Sequence, residues 1–134
     1  MHRNSPIAAW RNQKSAYLLQ GMQCTSCKAL FYPRKYRCTC GATAFVSYQF
    51  SGKAELVSFT QITIPSVEFI DCAPYCIGIV RLEEGLQVLM QLTDVEFENL
   101  HAGMPLVATF RKHFAAGDAG MIFYGLKFMP AELA

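Results

Sequence analysis

Two pairs of cysteines, Cys24-x-x-Cys27 and Cys38-x-Cys40, carry the clearest chemistry in this sequence. They sit in the stretch YLLQGMQCTSCKALFYPRKYRCTCG, from Tyr17 to Gly41, with ten residues between them. Two tight knuckles that each offer two thiolates are what one tetrahedral zinc ion requires, and the same four sulfurs would also take iron. The second pair is one residue short of the usual Cys-x-x-Cys, so its turn must be tighter. Three other readings stand beside the metal: a disulfide, four unconnected thiols, and a knuckle that no longer binds an ion. A disulfide needs an oxidising compartment, and nothing in the chain points to export. A module this small holds no core of its own, so a bound metal would supply its folding energy.

The remaining reactive groups do not assemble into an active site on paper. Cys76 opens the apolar run Cys-Ile-Gly-Ile-Val and reads as a small buried hydrophobe. Cys72 lies in an expected loop next to Asp71, and an acid there raises a thiol's pKa and dulls it. His2, His101 and His113 are scattered, the last beside Arg111 and Lys112. Gly117-Asp118-Ala119-Gly120 lacks the Lys-Ser/Thr of a phosphate loop. A nucleophile, a base and a stabiliser within mutual reach are not visible, so the expectation is a protein that is not an enzyme.

The cysteine pairs need elements to hold them. Residues 1–16 read as an N-terminal arm with a short helix, Ser5 capping it and Pro6 at its first position. Ile7 and Trp10, three apart, share a face. Trp10 is the single tryptophan, either pinning the arm to its own domain or anchoring a partner. From Tyr17 the period becomes two, with Tyr17, Leu19 and Gly21 on one side, which predicts a strand entering the first knuckle. After residue 42 a series of short strands is expected at 45–50, 54–64, 75–82, 86–93, 105–113 and 121–128, with Glu83-Glu84-Gly85 as a hairpin turn and 94–102 as the one helical segment. Counted from residue 54, this is the order of an OB-fold, a five-stranded Greek-key barrel, with a generic sandwich as the competing fold. Residues 65–74 and 114–120 would be the loops flanking its binding face. The fold class is therefore all-β: a short N-terminal helical arm (1–16), a rubredoxin-like zinc ribbon (17–47) and a C-terminal OB-fold barrel (48–134).

Composition narrows the function classes. The 134 residues suffice for one domain with an appendage. No apolar run reaches the roughly eighteen residues of a membrane span, and the first residues lack the apolar centre of a signal peptide. The expectation is a cytoplasmic protein with reduced cysteines. Charge makes up only 16% and apolar residues 52%, against about 25% charged in a typical soluble domain, which suggests a surface partly covered by a partner. Residues 1–54 carry eight bases and no acid, whereas 55–134 carry ten acids and four bases. A basic ribbon beside an acidic body suits a phosphate-bearing ligand or an acidic partner face. Single-stranded nucleic acid is the alternative that OB-folds and zinc ribbons invite. It is opposed by the acidic barrel, whose strands 75–82 and 86–93 offer only Arg81.

Taken together, the residues resemble a known family, the acyl-CoA-associated zinc-ribbon OB-fold proteins. The resemblance runs through Trp10-Arg11, Tyr17-x-Leu19-x-Gly21-x-x-Cys24-x-x-Cys27, Phe31-Tyr32-Pro33-Arg34, Cys40-Gly41 and Ser51-Gly52-Lys53. It continues in Ala73-Pro74-Tyr75, Leu82-Glu83-Glu84-Gly85, Gly103-Met104-Pro105 and Phe123-Tyr124-Gly125-x-Lys127-Phe128. The family's second knuckle is Cys-x-x-Cys, and here Arg37 stands where its first cysteine would align. The resemblance implies a non-catalytic companion subunit of thiolases or thiolase-fold synthases and acyltransferases, such as acetoacetyl-CoA thiolase and 3-hydroxy-3-methylglutaryl-CoA synthase, in a hetero-oligomer. It implies a barrel that helps hold coenzyme A or acyl-CoA, and a ribbon and arm that dock the enzymes. On that reading Lys53, Arg111, Lys112 and Lys127 are candidate phosphate contacts and Tyr75 a candidate wall of the pantetheine channel. Trp10, Arg34 and Lys35 are candidates for docking. A pure scaffold without ligand binding remains a third possibility.

Overall fold

The structure is a computed structural model that describes residues 5–133. The arm is two short helices, α1 (Pro6–Arg11) and α2 (Gln13–Leu18). Pro6 takes the first helical position, where its missing N–H leaves nothing unsatisfied. Ser5 occupies the cap through its backbone, with its C=O accepting from Ala9 N–H, but its side chain makes no capping bond.

Tyr17 belongs to α2 and not to the strand that the alternation predicted. The chain leaves the helix at Leu19, which adopts the left-handed conformation (φ 48°). That conformation costs a non-glycine residue about 1–2 kcal/mol. It is offset by burial of the Leu19 side chain in the barrel core and by the bond its C=O accepts from Phe50 N–H. Strand β1 (Gln20–Cys24) starts only after this turn and pairs with β2 (Leu30–Phe31) on one edge and β3 (Phe45–Gln49) on the other. Gly21 fits there because a Cβ would strike the Phe31 carbonyl and come within 2.6 Å of the Phe50 ring.

Five further strands, β4 (Lys53–Ile62), β5 (Tyr75–Leu82), β6 (Gln87–Leu92), β7 (Pro105–Ala115) and β8 (Ile122–Pro130), close a barrel in the order β4-β5-β6-β8-β7. β6 meets β8 in parallel at Leu92 and Phe128, and every other pairing is antiparallel. Closure removes the sheet edges and distinguishes an OB-fold from a sandwich. The hairpin turn falls at Glu83-Glu84-Gly85, with Gly85 at φ 97° and Leu82 N–H bonded to Leu86 C=O. The segment expected to be helical contains a single 3-10 turn, Phe97–Asn99.

The core is centred on Leu56, Val80, Leu82, Leu106 and Phe128. A bulge between Leu56 and Ser58 lets both Leu56 and Phe59 reach this core, although an unbroken period of two would place them on opposite faces. Gly78 faces the bulge: a Cβ there would lie 2.8 Å from Leu56 Cδ1 and from Ser58 O. Gly78→Val is expected to lower unfolding stability by about 2 kcal/mol through overpacking. An unchanged urea midpoint would refute this.

The ribbon and barrel are joined by a short link that is held from several sides. Phe50 is buried in the barrel core with Tyr32 and Tyr48 edge-on against it. Ser51 N–H donates to Glu84 Oε1 at 2.8 Å, and Glu83 N–H donates to Lys53 O at 3.0 Å. Among the described residues, no helix is long and apolar enough to cross a membrane.

Candidate metal centre and ligand cavity

The four sulfurs of Cys24, Cys27, Cys38 and Cys40 lie within 4.8 Å of one another. Cys24 and Cys40 Sγ are 3.7 Å apart, and Cys27 and Cys38 Sγ 3.3 Å. All four are free thiols, so the disulfide reading fails in this structure. A tetrahedral ion with metal–sulfur bonds of about 2.3 Å separates its ligands by about 3.8 Å, and the cluster is close to that size. It could hold a metal ion, and an all-sulfur donor set of this kind suits zinc.

The backbone explains how the shortened pair can serve. In the first knuckle Lys28 N–H donates to Cys24 O and Cys24 N–H to Ala29 O. In the second, Gly41 N–H donates to Cys38 O and Cys38 N–H to Ala42 O. Each bond of the second knuckle spans one residue fewer than its counterpart. Lys28 (φ 62°) and Gly41 (φ 89°) take the left-handed position in their respective turns, and the tighter of the two has the glycine.

The same turns tune the sulfurs. The backbone N–H of Cys27 lowers the pKa of Cys24, and that of Cys40 lowers Cys38 to about 6. Cys27 is pulled down by the backbone at Ala29, but Cys38, burial and the other thiols together push it up to about 12. Without an ion the cluster therefore keeps protons that a dication would displace.

The docking candidates lie on the outside. Arg34 Nη2 donates to Ser47 Oγ at 3.3 Å, and Lys35 Nζ lies 4.8 Å from the centre of the Phe31 ring, so both cations are laid against the ribbon. The arm is pinned to the barrel by Tyr17, whose ring meets Phe110 edge-on at 5.0 Å, with Phe110 stacked on Tyr124. Trp10 is 74% exposed and Ile7, on the same helix face, 64% exposed.

The five ligand candidates do not converge on one place. Tyr75 and Lys127 line a cavity of about 280 Å³ together with Cys72, Asp94 and Phe97. Arg111 sits near it through its ion pair with Asp94, Nη2 to Oδ2 at 2.9 Å. Lys112 belongs to a different cleft, lined by the 3-10 segment Val67–Cys72 and the 116–121 loop, which it shares with Glu68, Asp71 and Asp118. Lys53 starts β4, whereas Tyr75 pairs with Ile62 at the far end of that strand, roughly 30 Å away at about 3.3 Å per residue. Lys127 is only 7% exposed. Burial lowers its pKa, Cys72 and Asp94 raise it, and Arg111 lowers it further. Asp94 escaped the sequence reading because its left-handed backbone (φ 57°) and its bond to a residue seventeen positions away leave no local signal.

No thiol–imidazole pair forms among the described residues. The Cys72 thiol donates to the backbone oxygen of His113 at 3.5 Å, not to its ring. The His113 ring is packed against Gly125, and its pKa is lowered by burial and by Lys127.

A cysteine-bearing ribbon in front of a closed OB barrel, with an exposed aromatic arm, defines a class of small ribbon-and-barrel proteins. Known proteins narrow the class. A family described as "ChsH2, C-terminal OB-fold domain" matches residues 47–111. A DUF35 domain-containing scaffold protein of Methanocaldococcus jannaschii is 34% identical over 94% of this chain and 91% of its own length. Those of Methanothermobacter thermautotrophicus (36%, covering 92% and 95%) and Pyrococcus furiosus (38%, covering 90% and 89%) are similar. This chain belongs to the DUF35 domain-containing scaffold protein family. Its fold is also that of a chain in the solved "Ltp2-ChsH2(DUF35) aldolase", with a TM-score of 0.70 and 22% identity over 98% of this chain and 97% of that one.

Proposed function

We propose that this protein is a non-catalytic companion subunit of a thiolase-type acyl-CoA enzyme. Its zinc-stabilised ribbon and its arm dock the enzyme, and its barrel helps hold coenzyme A or acyl-CoA. It works in the cytoplasm, where four thiolates stay reduced. The observation that carries the docking half is Trp10: a large aromatic, 74% exposed, on α1, the helix that precedes the one Tyr17 fastens to the barrel. The scaffold role named for its relatives supports the same reading.

The ligand half rests on the cavity. Two aromatic side chains in its wall, Tyr75 and Phe97, suit a pantetheine arm, and Lys127 in the wall and Arg111, paired with the wall residue Asp94, are the cations that could meet a pyrophosphate. The cleft around Lys112 is net acidic and opposes a polyanion, which also weighs against nucleic acid there.

Gentle affinity purification from the native host tests the docking half: stoichiometric recovery of a thiolase-fold enzyme supports it, and recovery of nucleic acid without such an enzyme refutes it. Trp10→Ala should weaken the complex by about 2 kcal/mol, some thirtyfold in Kd, as hot-spot aromatics do. The melting temperature of the isolated chain should stay unchanged. Titration of coenzyme A into the complex with and without this subunit tests the ligand half, since equal affinity leaves only a scaffold.

A further inference from the structure

The two halves of this chain carry opposite charges that do not meet within it. Residues 1–54 hold eight bases and no acid, and residues 55–134 hold all ten acids. Among the described residues one ion pair forms, Arg111 with Asp94, and both partners belong to the acidic half. On the ribbon, Arg34, Lys35 and Arg37 flank Tyr36 in sequence, and all four are exposed. Tyr36 is 98% exposed. An aromatic ring presented this fully, beside arginines, has the composition of an interface anchor. On the barrel, the cleft of about 600 Å³ combines apolar groups, Val67 and Phe114, with the carboxylates of Glu68, Asp71 and Asp118 and the single cation Lys112.

Tyr36 does not meet this cleft in its own molecule, as its exposure shows, and the topology keeps the two apart. Tyr36 follows Tyr32 by four residues, a span of at most about 14 Å, and the Tyr32 ring meets Phe50 in the link. The link enters β4 at Lys53, whereas the cleft lies past the far end of that strand, where Ile62 pairs with Tyr75 and Ala115 with Ile122. The length of β4, roughly 30 Å, separates them.

We propose that the finger at residues 34–37 docks in the acidic cleft of a second copy of this chain. A two-fold axis that lays two chains antiparallel puts each ribbon beside the other's cleft, so the same contact forms twice and the assembly closes. Tyr36 packs against Val67 and Phe114, and the three cations of the finger meet three carboxylates and one ammonium. Charge complementarity selects this occupant, since one chain carries both the basic finger and the acidic cleft. The pairing is a property of the chain alone and does not depend on a docked enzyme.

Sedimentation equilibrium of the full chain tests it. A monomer–dimer equilibrium is expected at low ionic strength, weakened about tenfold or more in roughly 0.5 M salt, where the Debye length falls to about 4 Å. Tyr36→Ala is expected to raise the dimer Kd by about thirtyfold or more. Arg37→Glu is expected to weaken the dimer as well, and Asp118→Arg added to the same chain to recover most of the loss. All three positions are exposed, so these variants keep the fold. A chain that stays monomeric at low salt overturns the proposal and leaves the finger to an enzyme or to nucleic acid. A dimer indifferent to Tyr36→Ala but broken by Trp10→Ala overturns it too, because the contact then lies on the arm.

Discussion

Cys24→Ser will release the metal and unfold the ribbon while leaving the barrel folded. The four buried residues of the ribbon cluster are Met22, Cys24, Phe31 and Cys38, so two of the four are themselves candidate ligands. With so little apolar surface to bury, the three-stranded sheet is expected to depend on a bound ion, since structural zinc contributes on the order of 10–16 kcal/mol in small modules. Serine keeps the shape of the side chain but offers no thiolate. The barrel closes on its own hydrogen-bonded strands and has its own core, so it should survive. Elemental analysis should find one zinc per wild-type chain and far less in the variant, and amides of β1–β3 should exchange rapidly in the variant while those of β4–β8 stay protected. Full metal content in Cys24→Ser, or slow exchange in a metal-stripped ribbon, would contradict the account.

The second large effect is expected from Phe128→Ala. Phe128 is wholly buried and sits where the barrel closes. Its Cα is registered with Leu92 on one side and Ala108 on the other, and its C=O accepts from Thr93 N–H at 2.8 Å. Removing the ring leaves a cavity that the surrounding strands cannot collapse into without opening the parallel contact between β6 and β8. The expected loss is about 3–5 kcal/mol, a large share of the roughly 5–15 kcal/mol that holds a typical domain. Urea unfolding measures it, and a loss below about 1 kcal/mol would mean that this side chain does not organise the closure.

The four-cysteine cluster was the most legible part of the sequence, because the spacing of candidate ligands is a local property. What the spacing Cys38-x-Cys40 did not disclose is that Gly41 and Ala42 repeat the bonds of Lys28 and Ala29 one residue tighter. The barrel strands were legible from alternation and turn residues. Alternation misled where a tertiary contact intervened: Leu19 leaves a helix because its side chain has a place in the barrel core, and the bulge after Leu56 inverts the faces of β4. The ligand candidates were the least legible. They were chosen as cations, and charge alone does not say that Lys127 is buried, that Arg111 is held by Asp94, or that Lys53 lies at the other end of β4.

The strapped link at Phe50–Lys53 has a consequence for how such a subunit would communicate. A swivel would let an enzyme gripping the ribbon wander relative to the barrel, and occupancy at one place would be silent at the other. Anchored by the Phe50 ring, by Glu84 on Ser51 and by Glu83 on Lys53, the two modules would act as a single bracket, fixing the span between an enzyme on the ribbon and the cavity. A tilt favoured by an occupant of the cavity would then be felt at the docking face, and by linkage a docked enzyme would shift the occupant's affinity by the same factor.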